Sequence, residues 1–256
     1  MCSMAMARAL VAGFLLTGCA FALNPSLDVS QYAHNSWRIR DGFVNGTIMA
    51  IAQTPDGYLW LGTTFGLVRF DGIKATPWQP PVGQELPSAV AIRLLTARDG
   101  TLWIGTLEGL ASWKDGKLSL YEALRGRSIG SLAEDHEGTI WTGSYGKIAQ
   151  ICAVRKGSVN CEDGFAASGI AGILPDTKGN LWVGVVDGVW RWKPGPPKFY
   201  PLPPEPNGYR GLMQGEDGAL LMPTRDGVKR LGDTTAELAA PFPASLRRPH
   251  PISWNA

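Results

Sequence analysis

The sequence predicts an all-β protein: a β-propeller of about five four-stranded antiparallel blades, forming an incomplete, open portion of a seven-bladed ring. Three observations predict it. A motif recurs at intervals near 40 residues, the period of a propeller blade. Asp-Gly pairs punctuate each repeat, and glycine, proline and tryptophan are abundant, with 32, 19 and 10 among 256 residues.

The motif is Asp56-Gly57-Tyr58-Leu59-Trp60-Leu61-Gly62-Thr63. It recurs as Asp99-Gly100-Thr101-Leu102-Trp103-Ile104-Gly105-Thr106, as Glu137-Gly138-Thr139-Ile140-Trp141-Thr142-Gly143-Ser144 and as Lys178-Gly179-Asn180-Leu181-Trp182-Val183-Gly184-Val185. A worn fifth copy is Asp217-Gly218-Ala219-Leu220-Leu221-Met222-Pro223-Thr224. Positions 60, 103, 141, 182 and 221 are separated by 43, 38, 41 and 39 residues.

Each element of a repeat has a local reason. In the first, Thr47 to Gln53 is an apolar run, Asp56-Gly57 a turn, Tyr58 to Thr63 a second strand and Gly66 to Phe70 a third. Asp71-Gly72 then leads into Ile73 to Trp78, the fourth. Asp-Gly supplies the positive φ angles of tight turns, and Asp115-Gly116 repeats it in the second unit. Alternation puts Leu59, Leu61 and Thr63 on one side of the strand and Trp60 and Gly62 on the other. Both sides are apolar or small, as expected of a sheet packed on both faces. Gly62 leaves room for the next sheet to approach. One tryptophan per repeat at one register identifies Trp60, Trp103, Trp141 and Trp182 as structural core residues.

This reading divides the chain into a signal peptide at 1–22, a lead-in at 23–42 with Trp37, blades at 43–241 and a remnant of a truncated sixth blade at 242–256. The blades fall at roughly 43–82, 86–124, 128–163, 168–203 and 207–241. Pro77 to Pro87 and Pro194 to Pro206 read as connections from one blade's outer strand to the next blade's inner strand.

Arg8, the apolar run Ala9 to Leu16 and the small residues after it have the layout of an export signal, and the run is too short to span a bilayer. Two cleavage sites fit. Leu16-Thr17-Gly18-Cys19 resembles a lipobox with Cys19 as the lipidated residue, and Ala20-Phe21-Ala22 fits an ordinary site before Leu23. Either implies an extracytoplasmic, oxidising location. Cys152 and Cys161 flank a hairpin whose two-residue turn at Lys156-Gly157 sets them opposite each other, at a non-hydrogen-bonded pair suited to a cross-strand disulfide.

A formal charge of +2, with basic pairs no longer than Arg247-Arg248, argues against a nucleic-acid partner. His34, His136 and His250 lack metal-ligand spacing, so no metal is expected. Glu134, Asp135 and Glu137 cluster beside a turn, but acidic residues recur at this register in other repeats, which favours a solvated turn over acid/base chemistry. No catalytic residue or cofactor site is expected.

The repeats, together with Leu27-Asp28-Val29-Ser30-Gln31-Tyr32, Arg40-Asp41-Gly42, Ala52-Gln53-Thr54-Pro55-Asp56-Gly57 and Trp190-Arg191-Trp192-Lys193-Pro194-Gly195, resemble the two-component regulator propeller family. The resemblance implies an extracytoplasmic sensor region of a histidine kinase or diguanylate cyclase receptor. It also implies an unidentified small-molecule or glycan ligand, and partners in the missing blades and in a membrane-anchored kinase or cyclase region. This chain carries no kinase or cyclase motif. Two other expectations stand beside the sensor: a secreted or lipid-anchored binding scaffold, and a propeller lyase resembling the streptogramin-inactivating type.

Overall fold

The computed structural model describes residue 37 and residues 43–146, 149–165, 169–205, 208–224, 227–232 and 236–241; for 163–165 and 236–241 it describes the backbone alone. Among these residues twenty strands form five separate four-stranded antiparallel sheets. The first contains β1 (Ile48–Gln53), β2 (Leu59–Thr63), β3 (Gly66–Phe70) and β4 (Ala75–Pro77). The second contains β5 (Ala91–Thr96), β6 (Leu102–Thr106), β7 (Gly109–Lys114) and β8 (Lys117–Leu120). The third contains β9 (Ser128–Glu134), β10 (Ile140–Tyr145), β11 (Ala149–Arg155) and β12 (Ser158–Phe165). The fourth contains β13 (Gly172–Pro175), β14 (Leu181–Val185), β15 (Gly188–Lys193) and β16 (Lys198–Pro201), and the fifth β17 (Met213–Gln214), β18 (Leu220–Thr224), β19 (Gly227–Leu231) and β20 (Ala236–Pro241). Strands pair in chain order within each sheet, so each is a meander, the form of a propeller blade. The opening strands β1, β5, β9 and β13 neighbour one another in turn.

The core lies between sheets. Trp60 and Leu67 of the first blade share a cluster with Leu102, Ile104 and Trp113 of the second. Trp103 is grouped with Ile140 and Val154 of the third, and Trp141 with Leu181 and Trp192 of the fourth. Trp182 is grouped with Leu220, Met222 and Leu231 of the fifth. Each repeat tryptophan is therefore covered by the third strand of the following sheet. Trp60, Trp103 and Trp141 are buried, but Trp182 is only half-buried. The fifth sheet offers Leu231 where the second and fourth offer Trp113 and Trp192.

The motif glycine makes this packing possible. A Cβ on Gly62 would stand 2.8 Å from the Ala91 carbonyl oxygen, and one on Gly184 would collide with the Tyr209 carbonyl. The next blade's chain occupies the place of a side chain.

Turn geometry follows the residues. Asp115 and Gly116 both have positive φ, at 48° and 78°, as do Lys156 and Gly157 at 48° and 82°. These are two-residue hairpins of the type that matches strand twist. At Asp71-Gly72 the loop is longer: the Asp71 carboxylate accepts from the Ile73 and Lys74 amides, and the fourth strand starts at Ala75 rather than Ile73. The expectation for Pro194 to Pro206 is corrected in part. Pro194 to Pro197 form the turn between β15 and β16, and the connection to the fifth blade begins after Pro201. The signal segment, the rest of the lead-in to residue 42 and residues 242–256 lie outside the described residues.

Candidate functional site

Two ends of the sheets differ in chemistry. At one end lie the turns joining each blade's first strand to its second. Trp141 Nε1 donates to Asp135 Oδ2 at 2.8 Å, Trp182 Nε1 to Asp176 Oδ2 at 2.8 Å, and Trp60 Nε1 to Thr54 Oγ1 at 2.9 Å. The second oxygen of Asp135 accepts from the Glu137 and Thr139 amides, and that of Asp176 from Lys178 and Asn180. Burial raises the pKa of both aspartates, but these hydrogen bonds outweigh it and leave both below the ordinary carboxylate value.

The acidic residue of the motif pairs with a base on the third strand. Arg69 meets Asp56 at 3.2 Å, Lys114 meets Asp99 at 2.9 Å, Arg155 meets Glu137 at 2.8 Å, and Arg230 pairs with Asp217. The hydrogen bond from Lys114 is the main cause that holds Asp99 at about 2. Neighbouring turns are also joined. Arg98 bridges to Glu134 at 3.2 Å, His136 Nε2 lies 3.0 Å from the Asp176 carbonyl, and Gln214 Nε2 donates to Thr177 Oγ1 at 2.8 Å. A cleft of about 610 Å³ opens here, lined by Asp135, His136, Glu137, Arg155, Asp176 and Lys193 among others. Arg155 and Glu137 pair with each other within it, and Lys193 Nζ leans over the Trp141 ring at 4.8 Å. Glu134, Asp135 and Glu137 are thus structural partners, and among the described residues no His, Cys, Asp and Glu group could hold a metal ion.

At the opposite end the blades' inner strands begin. β1, β5 and β9 each carry one extra residue against the second strand: Met49, Ile92 and Gly130. Such bulges re-aim the side chains beside them. The third blade differs from the others in having glycine there. A Cβ at Gly130 or at Gly169 would collide with the Tyr145 ring, so two glycines from consecutive blades form a slot for it. Arg210, in the segment leading to β17, places its guanidinium carbon 5.5 Å from the centre of that ring.

Arg93, next to the bulge in β5, completes the group. Its Nη1 donates to the Ile92 carbonyl at 2.7 Å. Burial lowers its pKa from the ordinary arginine value; the Tyr145 hydroxyl opposes that shift and the Arg210 charge adds to it. The hydroxyl is buried and approaches Arg93 without attaining hydrogen-bond alignment with any described residue. Residues of the second, third and fifth blades therefore converge on one point, which is how blades arranged around an axis meet. Nothing in the repeat spacing singled out Arg93, Tyr145 or Arg210. The available signal was Gly130, which replaces the larger Met49 and Ile92 of the earlier repeats.

Cys152 stands opposite Cys161 in the β11–β12 pairing, with Cα atoms 4.0 Å apart and the sulfurs joined. Cys152 is buried and Cys161 exposed, so the bond ties the outer strand β12 to the core. Cys19, His34 and His250 lie outside the described residues. Gly126-Arg127-Ser128-Ile129-Gly130 has the Gly-x-Ser-x-Gly spacing of a hydrolase nucleophile elbow. Ser128, however, opens the antiparallel strand β9 after a single helical turn at Glu122–Leu124, whereas the elbow requires a strand entering a helix.

Comparison with known proteins gives the same architecture. The extracellular domain of BT4673 from B. thetaiotaomicron, described as a one-component system, superposes with a TM-score of 0.61 at 18% identity, over 72% of this chain and 27% of that one. Virginiamycin B lyase from Staphylococcus aureus superposes with a TM-score of 0.60 at 17% identity, over 74% and 68%. The gluconolactonase XC5397 from Xanthomonas campestris gives 0.51 at 16%, over 68% of each chain. The match thus spans about a quarter of the BT4673 domain and about two thirds of each enzyme. No curated protein matches the chain in sequence. The fold is that of extracellular domains of signalling systems and also of lyase and lactonase propellers. Residues 42–65 match the two component regulator propeller, and the chain therefore opens its first blade on a repeat of that family.

Proposed function

We propose that this chain is the extracytoplasmic sensor or ligand-binding propeller region of a two-component, histidine kinase-type signalling receptor, with the output carried by other residues. The match of residues 42–65 to the regulator propeller repeat carries this reading. The chemistry at the blade ends supports it over catalysis: the acidic turn residues serve as hydrogen-bond and ion-pair partners, and His136 is engaged by the Asp176 carbonyl. The export signal read at 1–22 and the disulfide agree with a location outside the cytoplasm.

A strain lacking the gene, grown beside its parent on a panel of glycans and organic acids, tests the reading. We expect a set of transcripts that the parent induces on particular compounds and the mutant does not. Identical transcript profiles throughout, or conversion of a panel compound by the purified chain as read by mass spectrometry, would overturn it. Conversion would favour the lyase alternative.

A further inference from the structure

We infer that the cleft between the third and fourth blades binds an organic cation, an alkylguanidinium or alkylammonium group, beside the indole of Trp141. The inference names a ligand class for the sensor reading and rests on that reading only for its biological meaning.

The pairing across the sheets explains why a cleft opens there. The residue paired with the repeat tryptophan on the third strand is Arg69 in the first blade and Arg191 in the fourth, and Arg230 stands opposite Leu221 in the fifth. In the third blade that residue is Ala153. The basic partner of the motif acid has moved two positions along β11, to Arg155, which meets Glu137 at the turn. Tyr58 of the first motif is also replaced, by Thr139. The space left beside Trp141 is the cleft of about 610 Å³, whose apolar wall includes Ala153, Pro175 and Leu181.

The first blade shows what such a place holds. There the Arg69 guanidinium carbon lies 3.4 Å from the centre of the Tyr58 ring and 5.9 Å from that of Trp60, and Nη2 meets Asp56 at 3.2 Å. Aromatic faces attract cations in this way, tryptophan most strongly. In the third blade the Lys193 ammonium leans on Trp141 from the next sheet, and it has a second partner in Glu162 at 3.8 Å. A ligand cation can therefore take its place over the indole while Lys193 turns to Glu162, with the ligand's alkyl stem along Ala153 and Leu181. The charge balance favours a cation, because Asp135, Glu137 and Asp176 line the cleft against Arg155 and Lys193. The second blade also has a small residue, Ser112, at this register. Its cleft, of about 410 Å³, has the opposite balance, with Lys114 and Lys117 against Asp115.

Titration calorimetry of the intact chain with agmatine and separately with cadaverine, at constant ionic strength set by sodium chloride, tests the site. We expect saturable binding of at least one of them. Ala153→Arg, which restores the arginine found at this register in the first blade, should weaken it about tenfold or more. Lys193→Ala, at an exposed position, removes the internal competitor and its like charge and should tighten binding about threefold. Circular dichroism and melting temperature establish that each variant is folded; if Ala153→Arg is not, Lys193→Ala decides alone. Binding of agmatine alone identifies a guanidinium site and binding of cadaverine an ammonium site, and either supports the inference. No saturable heat with either probe, equal affinity in folded Ala153→Arg, or unchanged or weaker binding in Lys193→Ala would overturn it. That failure leaves the sensor reading intact, because the deletion strain tests it independently.

Discussion

The indole N–H of Trp141 donates to the carboxylate of Asp135, six residues earlier in the chain. This bond joins the turn to the strand it feeds, and Trp182 with Asp176 repeats it in the next blade. In the second blade the equivalent position is Ala97, which has no acceptor to offer Trp103.

Asp135→Ala removes the indole acceptor and two turn hydrogen bonds together. We expect a loss of about 1–3 kcal/mol, the cost of leaving buried donors unmade. The converse change, Ala97→Asp, supplies Trp103 with the acceptor its repeat lacks and should add about 0.5–1.5 kcal/mol. Urea denaturation of both variants beside the parent chain measures the two effects; a stabilised Asp135→Ala would show that the bond is unimportant.

Stability should fall in acid. Asp99 is held at about 2, and Asp135 and Asp176 also lie below 3.8 in the folded chain. Lowered folded values mean that the stabilisation is complete above pH 3.8 and is lost as pH drops from there toward about 2. Equilibrium unfolding at successive pH values should show a flat region above about pH 5 and a steep acid limb. The double variant Asp135→Asn, Asp176→Asn should show a shallower limb.

The repeat tryptophans should not be equivalent. Trp60→Ala and Trp141→Ala should each cost about 3–5 kcal/mol, as for truncation of a buried aromatic that leaves a cavity. Trp182→Ala should cost distinctly less, because Trp182 is half-buried and faces Leu231. Equal losses at all three positions would contradict the difference in burial.

The Cys152–Cys161 bond should be present in exported protein and confined to its own hairpin. Mass spectrometry should find two hydrogens fewer in the peptide containing both residues. The bond closes a short loop, with a sequence separation of 9, so reduction should cost no more than about 3 kcal/mol. Because β12 is an outer strand, the loss should appear first as faster amide exchange along that strand.

Much of the architecture was legible because the repeat is written in glycines and tryptophans at fixed spacing. The hairpin register at Lys156-Gly157 followed from turn length alone, and so did the facing of Cys152 and Cys161. The close approach at Gly62 followed from the missing side chain. What escaped was long-range. The convergence of Arg93, Tyr145 and Arg210 depends on residues 52 to 117 positions apart meeting near one axis, which no local spacing encodes. The reduced burial of Trp182 likewise depends on Leu231 in the next repeat. The start of the proline run, Pro194 to Pro197, falls one strand before the blade connection because proline marks any break in pairing, whether a hairpin turn or an exit from the sheet.

The placement of the core between sheets has a consequence for cooperativity. No sheet owns the apolar surface that keeps it folded; each borrows half from the neighbour that follows. Such a molecule behaves like a series of coupled units, in which the interior units are held from both sides. The third sheet, flanked by the second and the fourth, is the natural anchor of the row. Arg93 lies in the second sheet, and Arg210 lies in the segment that leads to the fifth. Loosening the third sheet would therefore uncover Trp103 before it and Leu181 and Trp192 after it.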